Sequence, residues 1–158
     1  MTIDPATFRS VLGRFASGVT VVTAREANGI DHGMTVSAFC SLSLEPAMVL
    51  MCVEKQTEMH PILEQVRHCA VNILEESQES ISRRFAERMT DRFNGVGYTR
   101  RITGAALLDE ALAHIECELV ERYPGGDHTI FIARVLAASA SSDRPLLYYR
   151  GGYAQMER

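Results

Sequence analysis

Apolar and polar residues alternate in short runs along most of this 158-residue chain. Such alternation is typical of strands with one buried face. Over residues 34–39 the even-numbered positions are apolar, and Thr35 and Ser37 place hydroxyl groups on the opposite face. Pro46 then interrupts the pattern, because proline cannot donate to a sheet ladder. The near-continuous apolar run of residues 47–53 predicts a strand that is buried on both faces.

Five further strands are predicted from runs rich in β-branched and aromatic residues, over 19–24, 70–74, 113–123, 129–138 and 146–149. Asn28-Gly29 is a strong turn signal and predicts a hairpin between the first of these strands and the one that begins at Gly33. The run PGGDH at 124–128 predicts the turn between the two longest strands. Residues 89–103 lack periodicity and are predicted to form a loop.

Three helices are predicted. Asp4 caps the first and Pro5 occupies its first turn, and its apolar residues recur at i, i+3, i+4 and i+7 up to Gly18, where it ends. Thr57 is predicted to N-cap a second, short helix through 63, with free amides able to hold an anion. The third begins at Ser77 and is amphipathic, with Phe85 facing inward.

Many strands with few helices, and no regular β-α alternation, favour an antiparallel barrel over a doubly wound sheet. The chain contains neither G-x-G-x-x-G after its first strand nor G-x-x-x-x-G-K-[ST], so any nucleotide is held in another way. No repeat or linker is present. We therefore expect a single domain over residues 1–158.

The net charge is −4 and 46% of the residues are hydrophobic, which allows a proper core and argues against nucleic acid as a partner. No run is long enough to span a membrane and no signal peptide is visible, so no membrane association and a cytoplasmic location are expected. The four cysteines form no C-x-x-C pair, which predicts neither a disulfide nor a zinc site. His60, Glu64 and His68 recur at helical spacing, but Pro61 disfavours a shared metal site, and no metal is predicted.

Two long segments carry a resemblance to a known family: FRSVLGRFASGVTVVT at 8–23 and GMTVSAFCSLSLEP at 33–46. Later pieces follow in order: VNIL at 71–74, Gln78, Phe85-Ala86, GDH at 126–128 and PLLYY at 145–149. Together they resemble the flavin reductase-like, FMN-binding split-barrel family over nearly the whole chain. Within it, the chain is most similar to the reductase components of two-component flavin-dependent monooxygenases.

The resemblance implies a mainly β protein with a few helices, built as an antiparallel Greek-key split β-barrel and assembled as a homodimer. It implies an NAD(P)H:flavin oxidoreductase that transfers a hydride from NADH or NADPH to N5 of FMN or FAD and supplies the reduced flavin to a partner monooxygenase. The alternative is a module that retains its flavin as an electron carrier or redox sensor, with little turnover. The absence of a nucleophile-base pair fits hydride transfer, because flavin brings its own reactivity.

The resemblance also implies site residues. Those expected around the flavin are Thr35, Val36, Ser37, Ala38, Ser41, Leu42, Cys52, Val53, Glu54, Lys55, Thr57, Arg84, Phe85, Ala86 and Arg88. His128 is expected to contact the nicotinamide and to act as the catalytic residue, with Arg150 and Tyr153 closing over the dinucleotide. From the residues alone, a solvated surface position explains Lys55 as well as a flavin contact does. A position in the core likewise explains Phe85 as well as a flavin contact does.

Two positions depart from the family pattern: Ala38 stands where Ser or Asn is usual, and Cys40 where Thr is frequent. One side-chain hydrogen bond to the flavin is therefore expected to be missing. The choice between FMN and FAD stays open at this point. So does the choice between NADH and NADPH, because no recognised motif places a ribose-reading residue.

Overall fold

The computed structural model describes residues 1–157, which form three helices and twelve strands. The helices are α1 (Pro5–Leu12), α2 (Met59–Gln65) and α3 (Glu79–Ala86). The strands are β1 (Ser17–Gly18), β2 (Thr20–Arg25), β3 (Asp31–Val36), β4 (Phe39–Leu44), β5 (Ala47–Glu54), β6 (His68–Ile73), β7 (Tyr98–Thr99), β8 (Leu107–Leu108), β9 (Ala113–Gly125), β10 (His128–Ala140), β11 (Leu147–Tyr149) and β12 (Gly152–Ala154).

Seven strands form the main sheet in the order β3-β2-β6-β9-β10-β5-β4, and every neighbouring pair in it is antiparallel. Strands β1, β11 and β12 form a second sheet, and β7 pairs with β8. The prediction of a mainly β, antiparallel architecture with a few helices is confirmed.

Strand β2 is buried on both faces because it lies between two hydrophobic clusters. Val22 packs with Met51 and Phe131 in the larger cluster. Val21 packs with Phe85 in the smaller one, on the opposite face. Helix α3 is held to the sheet through Phe85, whose side chain is fully buried.

Both long hairpins form where the sequence predicts them. The amide of Ile30 donates to Oδ1 of Asn28 over 2.9 Å, and Gly29 has φ of +88°, a conformation that glycine adopts without steric cost. The turn between β9 and β10 is shorter than predicted, since the ladder pairs Gly125 with His128 and leaves only two residues outside it.

The prediction that residues 47–53 are buried on both faces is wrong. In β5 the side chains of Val49, Met51 and Val53 are buried, while the residues between them are only half-buried. The predicted strand over 34–39 is also interrupted, because Ser37 and Ala38 lie at a bend between β3 and β4. The polypeptide then continues as a strand to Leu44, so Pro46 occupies the β4–β5 turn.

Helix α1 begins at Pro5, where Oδ2 of Asp4 accepts from the amide of Thr7 over 2.9 Å, as predicted. It ends at Leu12 and does not reach Gly18. Thr57 does not cap α2, which begins at Met59, because its hydroxyl donates to the Glu54 carbonyl over 2.8 Å. Helix α3 begins at Glu79, two residues after the predicted start.

A buried amide joins three strands near α3. Nδ2 of Asn72 donates to the Val21 carbonyl over 3.0 Å, and its Oδ1 accepts from the Leu108 amide over 2.8 Å. Among residues 1–157, no helix has the length and apolar character needed to cross a membrane.

Candidate functional site

The bend between β3 and β4 lies beside the end of β5. The amide of Cys52 donates to the Ala38 carbonyl over 2.9 Å, and Phe39 pairs with Met51 in the β4–β5 ladder. Ser37 and Ala38 are exposed at this bend, as are Ser41 and Leu42 further along β4. The fold thus brings together two segments, 35–42 and 52–57, that are separated in the sequence and were both assigned to the flavin.

Thr35 anchors this bend to helix α3. Its hydroxyl donates to the Ser82 carbonyl over 2.6 Å, and Oγ of Ser82 lies 2.7 Å from the hydroxyl of Tyr153. The Arg83 guanidinium stacks 4.8 Å from the centre of the Tyr153 ring. Tyr153 therefore packs on α3 with its hydroxyl already bonded, and a contact with the dinucleotide stays a prediction.

A cavity of about 360 Å³ opens between the end of β5 and the C-terminal part of α3. Five residues assigned to the flavin line it: Glu54, Thr57, Phe85, Ala86 and Arg88. The volume falls within the range of small-molecule sites. Arg88 and Arg92 line this space together with Glu54 and Glu58, and the two guanidinium groups are able to bind a phosphate.

His128 is the first residue of β10 and lies opposite Glu54 in the β10–β5 ladder. Its Nδ1 is 2.7 Å from Oδ1 of Asp127, and its side chain is 40% exposed. The hydrogen bond from this imidazole, and next its charge, lower the pKa of the Asp127 carboxyl. Asp127 thus orients the ring through Nδ1 and leaves Nε2 for another partner.

Lys55 is fixed at the same turn. Its Nζ donates to the Gly126 carbonyl and its amide to the Asp127 carbonyl, each over 2.9 Å. These two bonds give Lys55 a structural role, because they hold the β9–β10 turn against the end of β5. It also places a positive charge near His128.

Arg84 supports a neighbouring loop. Its guanidinium donates to the carbonyls of Arg92, Asp91 and Asn94. These bonds give Arg84 a structural role that requires no ligand, and its contact with the flavin stays a prediction. Arg92, in contrast, lines the cavity. It was not predicted as a site residue, because it lies within the aperiodic residues 89–103, where no pattern distinguishes one arginine from the next.

The remaining candidates lie at several places around the bend. Val36 and Val53 are buried, so only their backbone is available to a ligand. Burial raises the pKa of the Cys52 thiol, and the nearby Cys40 adds to the effect. Arg150 is exposed, and its amide donates to the Gly13 carbonyl over 2.9 Å, so it lies next to the end of α1.

Of the three residues considered for a metal, His60 and Glu64 share helix α2, whereas His68 begins β6. Nε2 of His60 is 2.8 Å from the Thr129 hydroxyl. Residues 1–157 contain no cluster of three His, Cys, Asp or Glu side chains suited to a metal ion.

Known proteins resemble this chain over nearly its whole length. The family model described as the flavin reductase like domain matches residues 12–157. The chain is 43% identical over 151 residues to the reductase component of 4-nitrophenol 4-monooxygenase/4-nitrocatechol 2-monooxygenase from Rhodococcus opacus, covering 96% of this chain and 80% of that protein. It is also 37% identical to a flavin reductase from Pseudomonas putida, covering 96% of this chain and 89% of the other.

Solved structures lead to the same family. The NADH:FAD oxidoreductase SgcE6 of Streptomyces globisporus C-1027, in complex with NAD and FAD fragments, superposes with a TM-score of 0.93 at 37% identity, covering 99% of this chain and 97% of that one. The flavin reductase PheA2 superposes with a TM-score of 0.90 at 38% identity, covering 99% of this chain and 100% of that one. The chain therefore belongs to the flavin reductase-like domain family.

Proposed function

We propose that this chain is an NAD(P)H:flavin oxidoreductase, which reduces FMN or FAD and supplies the reduced flavin to a partner monooxygenase. Family membership over residues 12–157 supports the reaction. The names of its relatives, among them a reductase component from Rhodococcus opacus, support the role in a two-component system.

One structural observation carries the proposal. The hydrogen bond from the Cys52 amide to the Ala38 carbonyl joins the β3–β4 bend to β5, and the ends of β5 and α3 border a cavity of about 360 Å³ whose lining includes Thr57, Arg88 and Arg92. The exposed residues Ser37, Ala38, Ser41 and Leu42 are proposed to meet the polar edge of the flat ring, and the arginines suit a phosphate. The residues present therefore fit a flavin mononucleotide unit.

Each element contributes a separate part of binding. Residues 35–38 with Ser41 and Leu42 border the ring, and residues 52–55 follow the ribityl chain toward Thr57 and Arg88. The flavin supplies the electron-carrying chemistry when bound. The chain orients the reactants and, by stacking the nicotinamide on the open side of the ring, supplies the proximity that hydride transfer requires.

His128 borders the open side. Because Asp127 fixes its Nδ1 at 2.7 Å, the ring presents Nε2 in one orientation. A hydrogen bond from Nε2 to the nicotinamide carboxamide holds the donor against the flavin. Arg150 and Tyr153, near the C-terminus, stay predictions for the outer part of the dinucleotide.

The finer architecture and the assembly are part of the proposal. The antiparallel order of the seven-stranded sheet and the family's flavin reductase structures support the proposal of a Greek-key split barrel. Four apolar residues in and just after α1 are 50% to 82% exposed, namely Phe8, Val11 and Leu12 within the helix and Phe15 three residues beyond its end. A surface of this kind marks an interface, and a second copy of the chain in a homodimer is the partner proposed. Single-domain organisation and a cytoplasmic location stay predictions.

The reaction is tested by following the loss of NADH or NADPH absorbance in steady state, with FMN, FAD or riboflavin added. The proposal predicts oxidation that depends on both protein and flavin. Absence of flavin-dependent oxidation with either nicotinamide would refute it.

A further inference from the structure

Helix α2 is held against the β9–β10 hairpin near both of its ends. Nε2 of His60, the second residue of the helix, lies 2.8 Å from the hydroxyl of Thr129 in β10. At the other end, Nη2 of Arg122 in β9 donates to the carbonyls of Leu63 and Val66 over 2.9 and 3.2 Å. Because the two contacts lie at opposite ends of α2, the helix and the hairpin are restrained as one unit.

The buried Phe131 ring packs against both contacts. The His60 ring meets it edge-on, with centroids 5.7 Å apart, and the Arg122 guanidinium lies 5.9 Å from its centre. Oε1 of Glu64 is 3.7 Å from Nε2 of His60, too far for a hydrogen bond, so Thr129 is the partner of this nitrogen. Side chains packed in this way have little room to change rotamer, and His60 therefore keeps a fixed position.

Thr129 directly follows His128 at the start of β10, and its side chain is buried. In the ladder with β5, His128 lies opposite Glu54 and Thr129 lies opposite Val53. Neighbouring residues of a strand point to opposite faces. The contact with His60 thus restrains the backbone of β10 from the core side, next to the residue whose half-buried imidazole is proposed to meet the nicotinamide.

The turn before His128 is held from another direction by Lys55, which bonds the carbonyls of Gly126 and Asp127. Lys55 restrains the turn, and His60 restrains the strand that follows it. The lining of the cavity proposed for the flavin phosphate includes Met59 but does not include His60. His60 therefore acts on the site through β10, without meeting either ligand.

We propose that His60 is a positioning residue for the reaction with the nicotinamide donor, because its contact with Thr129 fixes the start of β10 and with it the place of the His128 imidazole. This inference rests on the function proposed above, since it concerns the same contact between His128 and the hydride donor. Flavin binding does not depend on this contact, so the loss of His60 is felt at the nicotinamide and not at the flavin.

Steady-state kinetics with NADH varied, together with a flavin titration, tests the inference. His60→Ala is expected to lower kcat/KM for NADH by about five- to tenfold and to change the flavin Kd by less than about twofold. His60→Gln keeps a polar group at the end of the side chain and is expected to recover most of the loss. The matched control is His114→Ala, since Nε2 of this half-buried histidine lies 2.7 Å from the Leu108 carbonyl at the opposite end of β9, and it keeps the wild-type kcat/KM.

A carboxyl NMR titration of Asp127 supplies a readout that is independent of turnover. If His60 positions the start of β10, His60→Ala weakens the hydrogen bond between His128 and Asp127 and raises the Asp127 pKa toward 3.8. His114→Ala leaves this pKa at its wild-type value. Thr129→Val removes the hydroxyl but keeps the shape of the side chain. It is expected to reproduce both effects of His60→Ala, and it takes the place of that variant if His60→Ala does not fold.

A wild-type kcat/KM in His60→Ala overturns the inference, as does an Asp127 pKa that stays unchanged in that variant. An equal loss of kcat/KM in His60→Ala and His114→Ala also overturns it, because a general loss of stability then explains both. A wild type that does not oxidise NADH with any flavin removes the proposed function instead. The Asp127 titration then shows separately whether His60 positions the turn.

Discussion

Among single residues, the hydrogen-bonded pair of Asp127 and His128 is central to the proposed contact with the nicotinamide. One hydrogen bond of 2.7 Å fixes the imidazole at the start of β10, beside the end of β5. His128 was predicted from a resemblance in the GDH run. The role of Asp127 became visible only with the fold, because adjacent residues in a sequence do not reveal whether their side chains meet.

Replacing His128 with Ala is expected to lower kcat/KM for NADH by about tenfold, since one hydrogen bond to the donor is lost. Flavin affinity is expected to change little. Steady-state kinetics with NADH varied, together with a flavin titration, measures both. His68→Ala, at the half-buried first residue of β6, is the control and leaves kcat/KM unchanged. An equal loss in the two variants would contradict the role given to His128.

The same pair makes a prediction about pH. The hydrogen bond from His128 lowers the pKa of the Asp127 carboxyl below its ordinary value of 3.8. The stabilisation of the ionised carboxylate is therefore present above pH 3.8 and is lost as the pH falls through the lower folded value. In a carboxyl NMR titration, His128→Ala is expected to raise the Asp127 pKa toward 3.8. An unchanged pKa would show that the bond does not form in solution.

At the scale of elements, strands were easier to predict than their surroundings. Runs rich in β-branched and aromatic residues locate β2, β6, β9 and β10, because such side chains favour strands. The two- and three-residue strands β7, β8 and β12 were not predicted, since so few residues cannot show a recurring pattern. The Thr57 cap was wrong for a related reason: a threonine before an apolar run suits a turn as well as a cap.

The burial of β5 was mispredicted because an apolar side chain favours burial but does not show which face of its strand meets the core. Met48, Leu50 and Cys52 are only half-buried, since just one face of β5 meets the larger cluster. The apolar sequence of β5 does not show that one of its faces is only half-buried. The same limit hid a cavity of about 330 Å³ that lies between residues 88–93 and the β2–β3 turn, because it forms only where these two segments meet in the fold.

The packing of α3 on β3 gives a prediction for Gly33. A Cβ at this position would lie 2.6 Å from Cε1 of Phe85, so Phe85 has to move. Gly33→Ala is expected to destabilise the fold by about 1–3 kcal/mol and to weaken flavin binding, because Phe85 lines the cavity proposed for the flavin phosphate. Urea denaturation and a flavin titration measure the two effects. Gly18→Ala, where a Cβ meets nothing within 4 Å, is the matched control.

For the molecule as a whole, the proposed homodimer would cover the exposed apolar residues of α1 and the nearby Phe15. Phe15 is 82% exposed, and burying such a side chain contributes about 1.5–3 kcal/mol. Phe15→Glu is therefore expected to weaken dimerisation at least about tenfold in sedimentation velocity. Ser10→Glu, on the opposite face of α1, leaves assembly unchanged. A wild type that sediments as a monomer at all concentrations would contradict the dimer.

In the proposed function the flavin binds beside the β3–β4 bend and is reduced there, and anaerobic reduction of the flavin tests this proposal most directly. Protein, NADH and a stoichiometric amount of FAD or FMN are mixed without oxygen while the absorbance of the oxidised flavin is followed. The account predicts bleaching of one flavin for each NADH consumed, at a rate that His128→Ala lowers. Flavin that stays oxidised in the presence of the wild-type protein and excess NADH would contradict it.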